Sequence, residues 1–560
     1  MRKCLLPILI GLASMAIMTL SEPAMAIVWD EGYTLGRIER VRLWFSAMAS
    51  PARFSETWVP PVTELVQQQG LAPPSKAQVG SRLELLLNPR VIGWFWPFAR
   101  EEPHGHPPFY AMVGLMGDIV TPWREPLARA RFGTMLFHAI ACAFTFYVFE
   151  KRLGRRPAAV SALMLLASPH LFALNHYATY DGLLNSLWII GLLATAESMA
   201  SENPNSQRRY DILAGLVLGA AMATKLSGWF LVFPLALGVP LSGFARKRIS
   251  GFLLTSIIAV VSLYFWNPSW WCEPVTGPIR FFRSNLNRAA TIPIETLYLA
   301  KVYKTPAESL PWSNTLVLSL MATPVFALVL MILGFVSIPK SKPHQNMALI
   351  IAAGWAIPML LRAMPHTPGH DGTRQLITAL GSGCLLSGLG VAFVSQYSRI
   401  FSKIIPGLVT AELLASLAVF YPVPLSYFSP LVGSLPGAYE LGMETTYYWD
   451  AFTPEAIAWI NTHSAKTDKI AFVGTPTSFL YLNQVGRLVP QVNPQSPGKY
   501  RWLVVQNRPG NFHDRDRAVI RTLKPAYSYS KLGVWLVSVY DMNEVEEVYR
   551  SLPQTGRQGP

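Results

Sequence analysis

Apolar residues gather along the chain into runs of bilayer-crossing length, separated by short polar breaks. The runs lie near residues 5–20, 131–149, 158–174, 182–200, 211–224, 228–244, 250–266, 315–338, 347–361, 377–394 and 405–421. About eleven transmembrane helices are expected from them. Alternate loops are basic: Arg2 and Lys3, then Lys151, Arg152, Arg155 and Arg156, then Arg208 and Arg209, then Arg246, Lys247 and Arg248, then Lys340 and Lys342, then Arg399 and Lys403. Lys and Arg beside a span resist translocation, which predicts that this side and the N-terminus are cytoplasmic. The short stretches 175–181, 225–227 and 362–376 and the long segments 29–130, 267–314 and 422–560 then face outward. Arg2, Lys3, the apolar stretch after them and Ala24-Met25-Ala26 also fit a cleavable signal peptide. An uncleaved first span would anchor Trp29-Asp30-Glu31 at the membrane surface.

After residue 421 the pattern changes, with charged residues returning and short strands alternating with helical periodicity. Thr453 caps a helix with Pro454 in its first turn and Ile457, Trp459 and Ile460 as its apolar stripe. Residues 469–474, 500–506 and 534–540 read as buried strands, and 514–523 as a helix. The expected organisation is a polytopic helical core over 1–421, including the outer loops 29–130 and 267–314, and a small outer-face α/β domain over 422–560. The latter shows no phosphate loop, metal-ligand spacing or nucleophile elbow, and is expected to support the core or bind an acceptor.

Composition agrees: 51% of the 560 residues are hydrophobic and 14% charged, against roughly 25% charged in soluble domains. The 17 Trp, 28 Phe and 21 Tyr exclude intrinsic disorder. The four cysteines, at 4, 142, 272 and 384, are too scattered for a disulfide framework or zinc site. A net charge of +15 would suggest nucleic acid only if clustered on a soluble face, whereas here it punctuates spans. No nucleic-acid partner is expected; the lipid bilayer is one.

Chemistry concentrates at the outer boundaries. Trp29-Asp30-Glu31-Gly32-Tyr33 places two carboxylates beside lipid, costly unless solvated, paired or functional; the plain alternative is a helix start. Glu101-Glu102-Pro103-His104-Gly105-His106-Pro107-Pro108 follows in the same outer segment. His104 and His106 can hold a metal with Asp30 or Glu31, hydrogen-bond a phosphate, or serve as surface histidines near a turn. Arg129, Arg131, Lys225 and Arg374 lie near outer span ends, where cations either bind an anion or snorkel to headgroups. Arg374 shares its loop with His366, His370 and Asp371, and Asp181 either caps a helix or belongs to the site. Segment 267–314, with Trp270, Trp271 and several cations, reads as a lid over a donor groove or as an interfacial helix.

Together these residues resemble the GT-C superfamily of membrane glycosyltransferases, in the branch of protein O-mannosyltransferases and bacterial aminoarabinose transferase-like enzymes. The resemblance covers roughly residues 1–450. It rests on the Asp30-Glu31 pair, His106-Pro107-Pro108, Arg129-Ala130-Arg131-Phe132, the basic turn at 151–156, Asp181 and His370-Asp371-Gly372-Thr373-Arg374. Phe109-Tyr110-Ala111 replaces the Leu-Gly-Lys-like continuation of the O-mannosyltransferases, and their inserted lumenal domain is missing, which points to a bacterial relative. The resemblance implies a polyprenyl-phosphate sugar donor, inversion at the anomeric carbon, and a bacterial inner-membrane location with a periplasmic site. An acceptor hydroxyl, on lipid, glycan or protein, needs a base. Asp30 is the candidate, with Glu31 as catalytic partner and Tyr33, His104, His106, Arg129, Arg131, Asp181, Lys225, His370, Asp371 and Arg374 as substrate contacts. Charge for the departing phosphate comes from the cations or from a divalent metal ion. The competing reading is a lipid-sugar flippase or other transporter, which places charges near the midplane and repeats its halves; neither is evident. A non-catalytic assembly protein would leave the Asp-Glu and His-Pro-Pro elements unexplained.

Overall fold

Helices dominate the computed structural model, which describes residues 2–58, 72–96, 106–287, 294–340, 344–474 and 477–552. Among the described residues seven helices are long and apolar enough to cross a membrane: Leu5–Ala24, Pro126–Leu153, Tyr180–Ala200, Arg246–Phe265, Gln345–Ala363, Gly372–Tyr397 and Arg399–Phe420. An eighth comes from the pair Arg155–Ala167 and Pro169–His176, bent by 61° where Pro169 lacks the amide that would continue the first helix. The apolar runs at 211–224, 228–244 and 315–338 fall on elements that are shorter, less apolar or broken. Helix Pro204–Met222 carries the first, a 3-10 turn and short helices from Leu226 to Leu241 the second, and two helices parted at Thr323-Pro324 the third. The chain is a multi-pass membrane protein.

Close packing sets the helix order. A Cβ at Gly117 would lie 1.8 Å from the Arg129 carbonyl oxygen, and one at Gly133 would lie 2.0 Å from that of Val113. Helices Phe109–Val120 and Pro126–Leu153 therefore meet backbone to backbone, as small residues permit in membranes. Helix Tyr180–Ala200 is buried along nearly its whole length at the centre of the bundle. Asp181 opens it and Glu197 closes it, about 24 Å apart along the axis. At the Glu197 end Lys151 and Arg152 both pair with that carboxylate at 2.5 Å. At the Asp181 end the buried polar residues converge.

Residues 294–305 form a hairpin, β1 (Ile294–Tyr298) and β2 (Lys301–Thr305). A four-stranded sheet contains β3 (Lys469–Phe472), β4 (Tyr500–Gln506), β5 (Tyr527–Lys531) and β6 (Val534–Asp541), in the order β3-β4-β6-β5. Strands β3 and β4 run parallel and the other pairs antiparallel. Alternation along β4 sends Trp502 and Val504 into the core shared with the helices. Leu503 and Val505 point instead to helices Asp514–Thr522 and Met542–Ser551. Thr453 caps helix Pro454–Thr462 by accepting from the Ala456 amide, as its sequence predicts. The sheet thus shares one core with the bundle and holds residues 443–450 against the Asp181 end.

Candidate functional site

The α-helix of the first span ends at Ser21, a 3-10 turn completes the span at Ala24, and helix Trp29–Ala49 begins a few residues later with its two carboxylates in the first turn. Adjacent helical residues point about 100° apart, and the two acids have different surroundings. Glu31 is fully buried, and its oxygens accept from Arg131 Nε at 2.8 Å and Nη2 at 2.7 Å. It also accepts from the amides of Ala178 at 2.8 Å and Val28 at 3.1 Å. Arg131, equally buried, further donates to Glu22 at 3.1 Å and to the carbonyls of Met25 and Ala26 at 3.1 and 2.6 Å. This pair fastens the turn between the first span and helix Trp29–Ala49.

Asp30 faces the other way and retains some solvent exposure. Its Oδ2 accepts from Tyr180 Oη at 2.5 Å, Tyr448 Oη at 2.6 Å and Arg374 Nη2 at 2.5 Å. Among the described residues none donates to Oδ1. Arg374 is the hub: its Nε reaches Asp181 at 2.7 Å and its Nη1 reaches Asp371 at 2.8 Å. Its guanidinium lies 3.9 Å over the Tyr448 ring. Asp181 also accepts from Lys225 Nζ at 2.6 Å, and Asp371 from Arg508 Nη1 at 2.9 Å. Arg508 continues to Glu444 at 3.3 Å.

Charge in this cluster is set by competition between burial and partners. Burial alone would raise the Asp371 carboxyl, but Arg508 and Arg374 outweigh it and hold it well below the usual carboxylate range. At Glu444 burial prevails over Arg508 and raises the carboxyl. Burial pushes the Lys225 ammonium down to about 8 against the pull of Asp181. Asp450 is completely buried, accepts no side-chain hydrogen bond among the described residues, and is pushed up to about 8 by burial.

A cavity of about 520 Å³ opens beside the hub. Its polar wall carries His106, Lys225, Arg362, His370, Arg374 and Gln375, and its apolar part is lined by Trp188, Phe230, Pro358 and Leu361. Gln375 Oε1 accepts from Arg362 Nη2 at 2.8 Å and from Lys225 Nζ at 3.3 Å, drawing both cations to one wall. The His106 ring lies against Tyr180, with centroids 3.8 Å apart. Asn285 and Leu286, ending helix Thr276–Leu286, complete one side. An anionic group with an apolar tail fits such a surface.

Of the residues singled out in sequence, Asp30, His106, Asp181, Lys225, His370, Asp371 and Arg374 come together here. Arg131 and Glu31 pair in the adjoining turn. Arg129 pairs with Asp118 at 3.3 Å on the flank of its helix, outside the cavity lining. Tyr33 lies one turn along from Asp30, with the Arg37 guanidinium 6.0 Å from its ring. His104 lies outside the described residues. Among the described residues no three His, Cys, Asp or Glu side chains group as a metal site. Sequence reasoning missed Tyr180, Arg362, Gln375, Glu444, Tyr448 and Arg508. Tyr180 and Gln375 adjoin residues that were named, whereas Tyr448 and Arg508 come from the distant sheet region.

Residues 106–271 match the family model described as dolichyl-phosphate-mannose-protein mannosyltransferase. A comparison with curated proteins gives no match. Among solved structures, ArnT from Cupriavidus metallidurans bound to undecaprenyl phosphate superposes with a TM-score of 0.53 at 15% identity, covering 95% of this chain and 97% of that one. The same protein in its apo state gives 0.49 at 15% identity with the same coverage. The apo oligosaccharyltransferase of Archaeoglobus fulgidus gives 0.43 at 12% identity, covering 89% of this chain and 69% of that one. The first of these likenesses shows the fold.

Proposed function

We propose that this chain, a membrane glycosyltransferase of the GT-C type, moves a sugar from a polyprenyl-phosphate donor to a hydroxyl acceptor at the outer face of the membrane. The observation that carries the reading is Asp30, with Oδ2 held by three donors and no donor to Oδ1 among the described residues, beside a cavity that is cationic on one wall and apolar on another. The likeness to a structure holding undecaprenyl phosphate supports the donor class. The acceptor hydroxyl docks on Asp30 Oδ1 and gives up its proton as its oxygen bonds to the anomeric carbon. The bond from that carbon to the phosphate oxygen breaks in the same step, which inverts the centre through a transition state of oxocarbenium character. The phosphate leaves as an anion, stabilised by Lys225 and Arg362 with Arg374 behind them. Asp181 and Asp371 orient the cations, and Glu31 anchors the turn that presents Asp30.

The alternating basic loops support a cytoplasmic N-terminus, and the bacterial branch of the resemblance supports an inner-membrane enzyme with a periplasmic site. Residues 422–560 then form the outer-face domain over the core of 1–421. The test is discharge of labelled polyprenyl-phosphate sugars by purified protein in detergent, with and without a chelator. Asp30→Asn should lower transfer by about 10²–10⁴-fold with donor binding retained, the range expected for a lost general base. Full activity in Asp30→Asn would sink the base, chelator sensitivity would assign a metal to the reaction, and transbilayer movement of a lipid-linked sugar without discharge would favour the transporter.

A further inference from the structure

Tyr448 and Trp449 are consecutive non-glycine residues in the left-handed region, with φ of 62° and 64°. Such a conformation is costly and persists only where surrounding contacts over-determine it. Those contacts are specific. The Tyr448 amide donates to Asp371 Oδ1 at 3.3 Å, and its carbonyl accepts from the Trp29 amide at 3.2 Å. The Trp449 ring stacks on Trp29, with centroids 5.9 Å apart and planes 28° apart. The Arg508 guanidinium lies 4.7 Å from the Trp449 ring. Gly474, just after β3, leaves room for that ring, since a Cβ there would come within 2.5 Å of it.

Residues from the bundle and from the segments after β3 and β4 thus hold this pair in place, and the result is one hydrogen bond, from Tyr448 Oη to Asp30 Oδ2 at 2.6 Å. Tyr180 and Arg374 bind the same oxygen. Three donors converging on one oxygen restrain the carboxylate, and among the described residues none donates to Oδ1. Resting on the function proposed above, we infer that Tyr448 is a positioning residue that aims the base, which makes the C-terminal region part of the transfer machinery. Tyr180 also lines the donor cavity, so its loss mixes two effects, whereas Tyr448 is absent from that lining. Its contribution belongs to turnover alone.

Tyr448→Phe keeps the ring under Arg374 and removes only the hydroxyl. It should lower kcat about tenfold to a hundredfold, as loss of a hydrogen bond to a charged group does. Donor KM should stay within about twofold, because a residue that acts only on the base contributes nothing to donor binding, and the lost hydrogen bond should lower the thermal midpoint by no more than a few degrees. Wild-type turnover, or a fall matched by weaker donor binding, overturns the inference. Trp449→Phe, which trims the clamp without touching the hydroxyl, should give the same kcat-selective loss and decides the question if Tyr448→Phe fails to fold. Asp30→Asn run alongside separates the two claims: full activity there defeats the proposed function, whereas an inactive Asp30→Asn with a normal Tyr448→Phe defeats only the positioning role.

Discussion

Lys225 holds its charge conditionally, because burial depresses its ammonium to about 8 while Asp181 at 2.6 Å favours the charged form. A lowered amine pKa means that the cation is present below about 8 and lost as pH rises through it. If Lys225 meets the donor phosphate, kcat/KM for donor should fall above about pH 8, because this ratio reports the free enzyme. Lys225→Arg stays protonated and should move that alkaline limb upward; a limb unchanged in the variant would remove Lys225 from donor recognition. At this scale Asp30, Asp181, Asp371 and Arg374 were legible because charged residues at span ends demand an explanation. The difference between Asp30 and Glu31 was not. Adjacency in sequence says nothing about which acid turns toward Arg131 and which toward Arg374, Tyr180 and Tyr448. Tyr448 was illegible for another reason, since its partner lies 418 positions away and neither residue's neighbours announce the pairing.

Eight of the eleven apolar runs fall on the membrane-length helices and the bent pair, yet hydropathy measures transfer to lipid and not continuity of the backbone. The run at 158–174 is one hydrophobic stretch but two helices, and the break falls at Ser168-Pro169, where the missing amide was visible in the sequence. The run at 315–338 breaks likewise at Thr323-Pro324. Close approach of helices depends on single glycines that hydropathy averages away. Gly117 and Gly133 sit where a methyl would meet a facing carbonyl oxygen at about 2 Å. Gly117→Ala should therefore push helix Phe109–Val120 off its neighbour and cost about 1–3 kcal/mol, the usual range for overpacking. A thermal midpoint in detergent equal to that of the wild type would show that the two backbones have room to spare. The same contact supports His106-Pro107-Pro108, which leads into helix Phe109–Val120, so its loosening should also weaken donor use.

Across the whole molecule, bundle and sheet meet through buried charge: Arg508 bridges Asp371 of the bundle and Glu444 beside the sheet, and Asp450 lies behind them among Tyr177, Asp371, Arg508 and Tyr529. Asp450 shapes how this junction responds to pH. Its folded carboxyl titrates at about 8 because of burial, whereas an unfolded aspartate titrates near 4. Below both values the two states are protonated alike and its contribution to stability is fully present. As pH rises toward about 8 the unfolded chain ionises first, and stability is lost by up to about 1.4 kcal/mol per pH unit. Asp371 adds no slope above pH 5, since its partners keep it ionised in the fold and solvent does so in the unfolded chain. Glu444, raised by burial, slopes the same way as Asp450, so the variant must be compared with the wild type at each pH. Asp450→Asn removes one ionisation from the unfolded chain, and its thermal midpoint should gain on the wild type steadily from pH 5 to pH 8. Parallel curves for the two proteins would mean that Asp450 is ionised in the fold, and that the junction holds a counter-charge beyond Arg508.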